Sequence, residues 1–172
     1  MHIGGGARRL FADLAERSEI MSKAITASLV PLFDRLTGMS HAAPDGRLLD
    51  GGGLQHSLRL DLMRLFNVRN SLSIQQFMSG EPTVRDYGLP DMLALSPQSD
   101  QDLATWSAVL VRCLALYEPR LSHVRVLVHP DPARPYAANA AISAVVALGE
   151  QLCRVNFDVA LDARSATLQA AA

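Results

Sequence analysis

Reactive chemistry in this chain would have to come from its carboxylates, its five histidines or its two cysteines, and their spacing decides which. His2, His41, His56, His123 and His129 show no metal-ligand spacing: His41 and His56 flank a glycine-rich stretch, and His123 and His129 bracket one strand and should stay exposed. Cys113 and Cys153 fall in periodic apolar segments without C-x-x-C spacing, which reads as buried thiols rather than a disulfide or a metal pair. Glycoside hydrolysis needs two carboxylates about 5–9.5 Å apart across one cleft, one of them with a raised pKa. No such pair is visible. Asp86, Asp91 and Glu118 stand beside turn prolines or glycines, where solvation or pairing with Arg85 and Arg120 is the simpler fate. Gly51-Gly52-Gly53 lacks the Gly-Lys-Ser/Thr continuation of a phosphate-binding loop. No catalytic, cofactor or metal site is expected.

One constellation remains, Tyr117-Glu118-Pro119-Arg120-Leu121, in which opposite charges flank a proline. Pro119 has no amide hydrogen and disfavours helical angles at Glu118, so a helix arriving from the N-terminal side should stop here in a stiff turn. Two readings stay open. The charges are solvated and of little energetic consequence, or the turn aims them at a partner, with Arg120 the better anchor because its planar guanidinium bonds in pairs. On the docking reading, Ala at Glu118 or Arg120 loses partner binding while keeping the fold.

The elements around the turn follow from periodicity. Residues 7–29 read as an amphipathic helix through Leu10, Leu14, Met21, Ile25 and Leu29, and Pro31 opens a short helix carrying Leu32, Phe33 and Leu36 that Gly38 can end. Residues 37–53 read as loop. Leu54, Leu58, Leu62, Leu65 and Phe66 then form one helix face, with Arg59, Asp61 and Arg64 assigned to solvent. Between 68 and 98 lie turns around an apolar piece, Leu72 to Met78, and Tyr87 and Leu89 are expected to pin a loop. Ser99 caps a helix over 100–117 with the buried stripe Leu103, Trp106, Leu110, Cys113, Leu114 and Tyr117.

After the turn the period changes to two. Val124, Val126 and Val128 mark a first strand; Ile142, Ala144, Val146 and Leu148 mark a second, so alanine-rich that it also reads locally as helix; Gly149-Glu150 turns into a third through Val155, Phe157, Val159 and Leu161. The expected class is α+β, N-terminal helices packed on one face of a small C-terminal three-stranded sheet. With 172 residues and a net charge of −1 the chain suits one domain and shows no electrostatic footprint for nucleic acid or an anionic membrane. No apolar run approaches the roughly 20 residues of a membrane span, and the first residues lack a signal peptide's basic start, so a cytoplasmic location is expected.

Five strings, Ser28-Leu29-Val30-Pro31-Leu32-Phe33-Asp34-Arg35-Leu36, Asp61-Leu62-Met63-Arg64-Leu65-Phe66-Asn67-Val68-Arg69, Tyr87-Gly88-Leu89-Pro90-Asp91, Tyr117-Glu118-Pro119-Arg120-Leu121 and Val155-Asn156-Phe157-Asp158, occur in this order. Together they resemble the TssE family of type VI secretion baseplate subunits, relatives of the phage T4 baseplate wedge protein often labelled lysozyme-like. The resemblance covers 28 to about 165, leaving residues 1–27 as an N-terminal helical extension and 166–172 as a tail. It implies a structural, non-enzymatic wedge subunit with TssF, TssG and TssK as partners, which starts the TssB/TssC sheath from an exposed sheet edge near 124–128 or 155–161. It further implies that Glu118, Pro119 and Arg120 contact the wedge core, with Tyr87, Gly88, Leu89 and Pro90 as the second protein-binding segment. The extension is longer than the family's short N-terminus and is either an idle arm or an additional contact. A stand-alone adaptor of the same fold and a cell-wall hydrolase are the alternatives.

Overall fold

A computed structural model describes residues 28–37, 48–162 and 166–169. The chain divides into two compact units, one built from Met1–Leu54 with Ala147–Leu152, the other from Gln55–Val146 with Cys153–Ala172. The first holds two short strands, β1 (Ser28–Leu29) and β2 (Leu48–Leu49), paired antiparallel, and the helix α1 (Leu32–Thr37) that follows Pro31. Ser28 and Leu29 are therefore extended, not the end of a helix; the rest of the helix read over 7–29, and the arm of 1–27, lie outside the described residues.

Helix α2 runs Gly51–Asn67, starting three residues earlier than its apolar stripe suggests. The reason is a cap. The Asp50 carboxylate accepts from the Gly53 amide at 2.7 Å, which offsets part of the roughly 1 kcal/mol that each glycine costs a helix. The glycine run is thus a first helical turn and not loop. Leu54, Leu58, Leu62, Leu65 and Phe66 are all buried, each such side chain contributing about 1.5–3 kcal/mol. At the other end the Arg69 guanidinium donates to the Phe66 carbonyl at 2.6 Å.

The segment after α2 is tied down by side chains. Ser73 and Gln76 form a reciprocal cap on α3 (Ile74–Ser79), whose Phe77 is buried. Thr83 and Asp86 do the same for a single 3₁₀ turn at Val84–Asp86, and the Thr83 amide and hydroxyl hold the Asp86 carboxyl below its ordinary pKa. Beyond it the chain pairs parallel with the segment that follows α2: the Leu89 amide donates to the Val68 carbonyl and the Asn70 amide to the Leu89 carbonyl, both at 2.9 Å. Asn70 adds two side-chain bonds of 3.0 Å to the carbonyls of Asp86 and Gly88.

Helix α4 (Asp100–Tyr117) starts on Ser99, whose hydroxyl accepts from the Asp102 amide. Its buried stripe is Leu103, Trp106, Val109, Leu110, Cys113 and Leu114. Burial pushes the Cys113 thiol up to about 12, which makes it an inert core residue, whereas Cys153 is half-buried. Arg112 reaches from α4 to the carbonyls of Phe77 and Gly80, fixing the end of α3. On the opposite side α4 lies against the first long strand, where the Ser107 hydroxyl donates to the Val126 carbonyl at 2.7 Å.

The three long strands are β3 (Leu121–Pro130), β4 (Ala138–Leu148) and β5 (Gln151–Leu161), in the sheet order β3-β4-β5. The α+β class holds. A short β6 (Ala166–Gln169), in residues that sequence alone leaves as tail, adds a fourth strand by pairing with Asp158–Leu161. The alanine-rich segment is a strand, because its small residues sit on a closely packed face: Ala138, Ala140, Ile142, Ala144 and Val146 are buried in alternation. Register slips between Ser122 and Arg125, where His123 takes φ 51° and bulges β3 just after the Glu-Pro-Arg turn.

Gly88 is the position where geometry leaves least choice. Its φ is 109°, and a Cβ there would lie 2.5 Å from the Val68 carbonyl oxygen. Gly88→Ala is expected to destabilise the protein by about 2–3 kcal/mol in urea unfolding, against no more than about 0.5 kcal/mol for Val84→Ala at an exposed position.

Candidate functional site

The turn is built from the backbone outward. Helix α4 ends with the Glu118 amide donating to the Leu114 carbonyl, and the Leu121 amide then closes a four-residue turn on the Glu118 carbonyl at 3.1 Å. Proline suits the second position of such a turn because its φ is preset. This places the Glu118 and Arg120 side chains on the same side of Pro119. They find each other: Arg120 Nε donates to Glu118 Oε1 at 2.5 Å and Nη2 to Oε2 at 2.7 Å. Glu118 is 5 % exposed, so its carboxylate is a buried charge answered within its own turn.

The same guanidinium reaches helix α2. Nη2 donates to Asp61 Oδ2 at 2.6 Å and Nη1 to the buried Ser57 hydroxyl at 3.3 Å, while Arg64 holds Asp61 Oδ1 at 2.9 Å. Burial works against the Arg120 charge, but the hydrogen bonds and charge of Glu118, then those of Asp61, outweigh it and raise its pKa. The sign is plain: this contribution is fully present below the ordinary arginine pKa and is lost only as pH rises through the still higher folded value. Titration of the arginine therefore leaves the network intact at any working pH.

Asp61 is the residue that sequence reasoning missed. Read as a solvent-facing helix position, it is a quarter exposed and bonded to two arginines. The available signal was Ser57, Asp61 and Leu65 at successive fours, a stripe on the border of the apolar face.

Asp61, Leu65, Tyr87, Tyr117, Glu118, Pro119 and Arg120 line an open groove of about 280 Å³. Tyr87 packs on Tyr117 edge-to-face, ring centres 5.2 Å apart, and the Tyr117 hydroxyl donates to the Asp86 carbonyl at 2.7 Å. Of the seven residues singled out from sequence, Tyr87, Glu118, Pro119 and Arg120 meet here. Gly88, Leu89 and Pro90 do not; they are buried and carry Tyr87 into place.

The groove does bring together two carboxylates, Asp61 and Glu118, where sequence showed no pair. Arg120 bonds to both. Among the described residues no group of His, Cys, Asp and Glu could hold a metal ion. His56, His123 and His129 are exposed, and His2 and His41 lie outside the described residues.

Because the arginine fork is spent internally, the expectation that Ala at Glu118 or Arg120 leaves the fold untouched is revised. Arg120→Ala strands a buried carboxylate. Unpairing a fully buried charge costs about 3–5 kcal/mol; with a quarter of the Arg120 side chain meeting solvent, a loss of about 2–4 kcal/mol is expected in urea unfolding. Arg64→Ala, at a more exposed pair, should cost no more than about 1 kcal/mol.

Comparison with known proteins bears on this arrangement. No curated sequence matches the chain significantly. A solved structure described as the baseplate complex from the type VI secretion system is similar at 20 % identity and a TM-score of 0.42, covering 64 % of this chain and 98 % of that one. The family model for baseplate wedge protein gp25 matches residues 53–151, which contain the groove and its turn. That match spans more than half of the sequence, and the chain belongs to the gp25 family of baseplate wedge proteins.

Proposed function

We propose that this chain is a structural, non-enzymatic TssE-like subunit of a type VI secretion baseplate wedge, working in the cytoplasm. It joins the wedge core, with TssF, TssG and TssK as partners, to the contractile sheath of TssB and TssC, whose assembly it starts. The observation that carries this reading is the preformed groove: a family of wedge proteins, a signature turn locked by its own ion pairs, and an open concavity beside it. Tyr87 and Pro119 form its accessible rim, Glu118 and Arg120 its floor, and Gly88, Leu89 and Pro90 its support. Among the described residues no helix is long and apolar enough to cross a membrane.

The sheath-facing side of the proposal rests on unpaired strand edges. Among the described residues, in the order β3-β4-β5-β6, the outer edge of β3 is free and β6 pairs with β5 over Asp158–Leu161. The β3 edge carries a bulge, Arg125, His129 and Pro130, features that discourage strand addition. Cys153–Phe157 of β5 carries no proline, and we take it as the template.

Co-purification with the wedge subunits tests both sides. Tyr87→Ala should lower wedge capture about tenfold, as for an interfacial aromatic anchor, while the melting temperature stays within a few degrees of wild type. Proline at Arg154 or Asn156 should spare wedge capture and stop sheath assembly. Undiminished capture by folded Tyr87→Ala, or turnover of purified peptidoglycan that a single Asp or Glu substitution abolishes, would contradict the proposal.

A further inference from the structure

The groove lining holds more carboxylates than guanidinium groups, and Arg64, outside the lining, pairs with Asp61. Asp61 and Glu118 supply two carboxylates and Arg120 one guanidinium. A carboxylate offers about four acceptor positions. Glu118 takes two bonds, both from Arg120; Asp61 takes one from Arg120 and one from Arg64. Among the described residues about half of this acceptor capacity is unused, whereas nearly all donors of Arg120 are committed to Glu118, Asp61 and Ser57. The groove is therefore rich in acceptors and poor in donors.

The aromatic rim adds a second, independent preference. Tyr87 is 38 % exposed and is braced by Tyr117, so a flat π surface stands beside the acceptors. The Tyr87 hydroxyl has a raised pKa, by burial first and then by the nearby Asp61 charge, with Glu118 adding and Arg64 subtracting. An acceptor-rich concavity walled by an aromatic ring suits a planar cation, which can stack on the ring and bond a carboxylate edge together. An anionic or purely aliphatic side chain would leave those acceptors buried and unpaired.

We propose that the groove receives the guanidinium of an arginine side chain projected by the partner protein, held between the Tyr87 ring and the Asp61 and Glu118 carboxylates. This deepens the reading of the groove as a docking surface and rests on it. Arg120 is then a positioning residue: it fixes the two carboxylates and leaves the contact to the incoming side chain.

The test uses the full chain and two blocked amino-acid amides, acetyl-arginine amide and its neutral isostere acetyl-citrulline amide, followed by NMR. Acetyl-arginine amide should saturably shift the Leu65 methyl and the Tyr87 and Tyr117 ring signals, and the citrulline compound should bind at least about tenfold more weakly. Tyr87→Ala should weaken the arginine response while the remaining spectrum stays folded. Equal responses to the two compounds, or an arginine response that misses these three residues, overturns the inference. Should Tyr87→Ala lose wedge capture while the groove ignores acetyl-arginine amide, the docking surface stands and the arginine occupant falls. Wild-type capture by Tyr87→Ala removes both.

Discussion

A buried carboxylate must find compensation, and that requirement at Glu118 organises the site. Glu118 sits where α4 stops, its amide still bonded into the helix, its side chain turned into the protein. Without a counter-charge a buried carboxylate is several kcal/mol too costly to keep. Arg120, two residues on, is brought round by Pro119 to meet it in a paired bond, and one guanidinium nitrogen is shared with Asp61 of α2. A single side chain thus closes the turn upon itself and fastens it to another helix.

Several other features of the Gln55–Val146 unit serve this junction. The end of α2 must be fixed for Asp61 to be in reach, and Arg69 on the Phe66 carbonyl does so. The loop through Gly88 must lie close to Val68, which only a residue without Cβ permits, and that approach brings Tyr87 onto Tyr117. Downstream, β3 begins at Leu121 directly after the turn and is bulged at His123, so its direction is set within a few residues of the ion pairs. An exposed pair would contribute little; this one is mostly shielded, which gives the arrangement its leverage on geometry.

Much of the framework was legible in sequence because it depends on local rules. The Ser99 cap, the helix of 100–117, the alternation after Val124 and the Gly149 turn each follow from spacing and residue type, and each is observed; the buried stripe is observed except at Tyr117, which is half-buried and lines the groove. What was not legible depended on distant partners or on one side chain. The start of α2 turned on the Asp50 carboxylate, which converts a glycine run from loop to helix. β6 has no pattern strong enough to announce itself and exists by pairing with β5. In the site, the turn and Tyr87 were visible as motifs, but their meeting was not, and the place of Asp61 on the border of the apolar face does not name its partner, a residue 59 positions away.

The site requires that the turn and α2 be energetically coupled through Arg120 and Asp61. A double-mutant cycle with Arg120→Ala, Asp61→Ala and the double variant, followed by urea unfolding, measures that coupling directly. A coupling energy above about 1 kcal/mol, retained for the most part at high salt because the pair is shielded, is the predicted result. Additive effects, with a coupling indistinguishable from zero, would mean that the charges are solvated independently and would contradict the account.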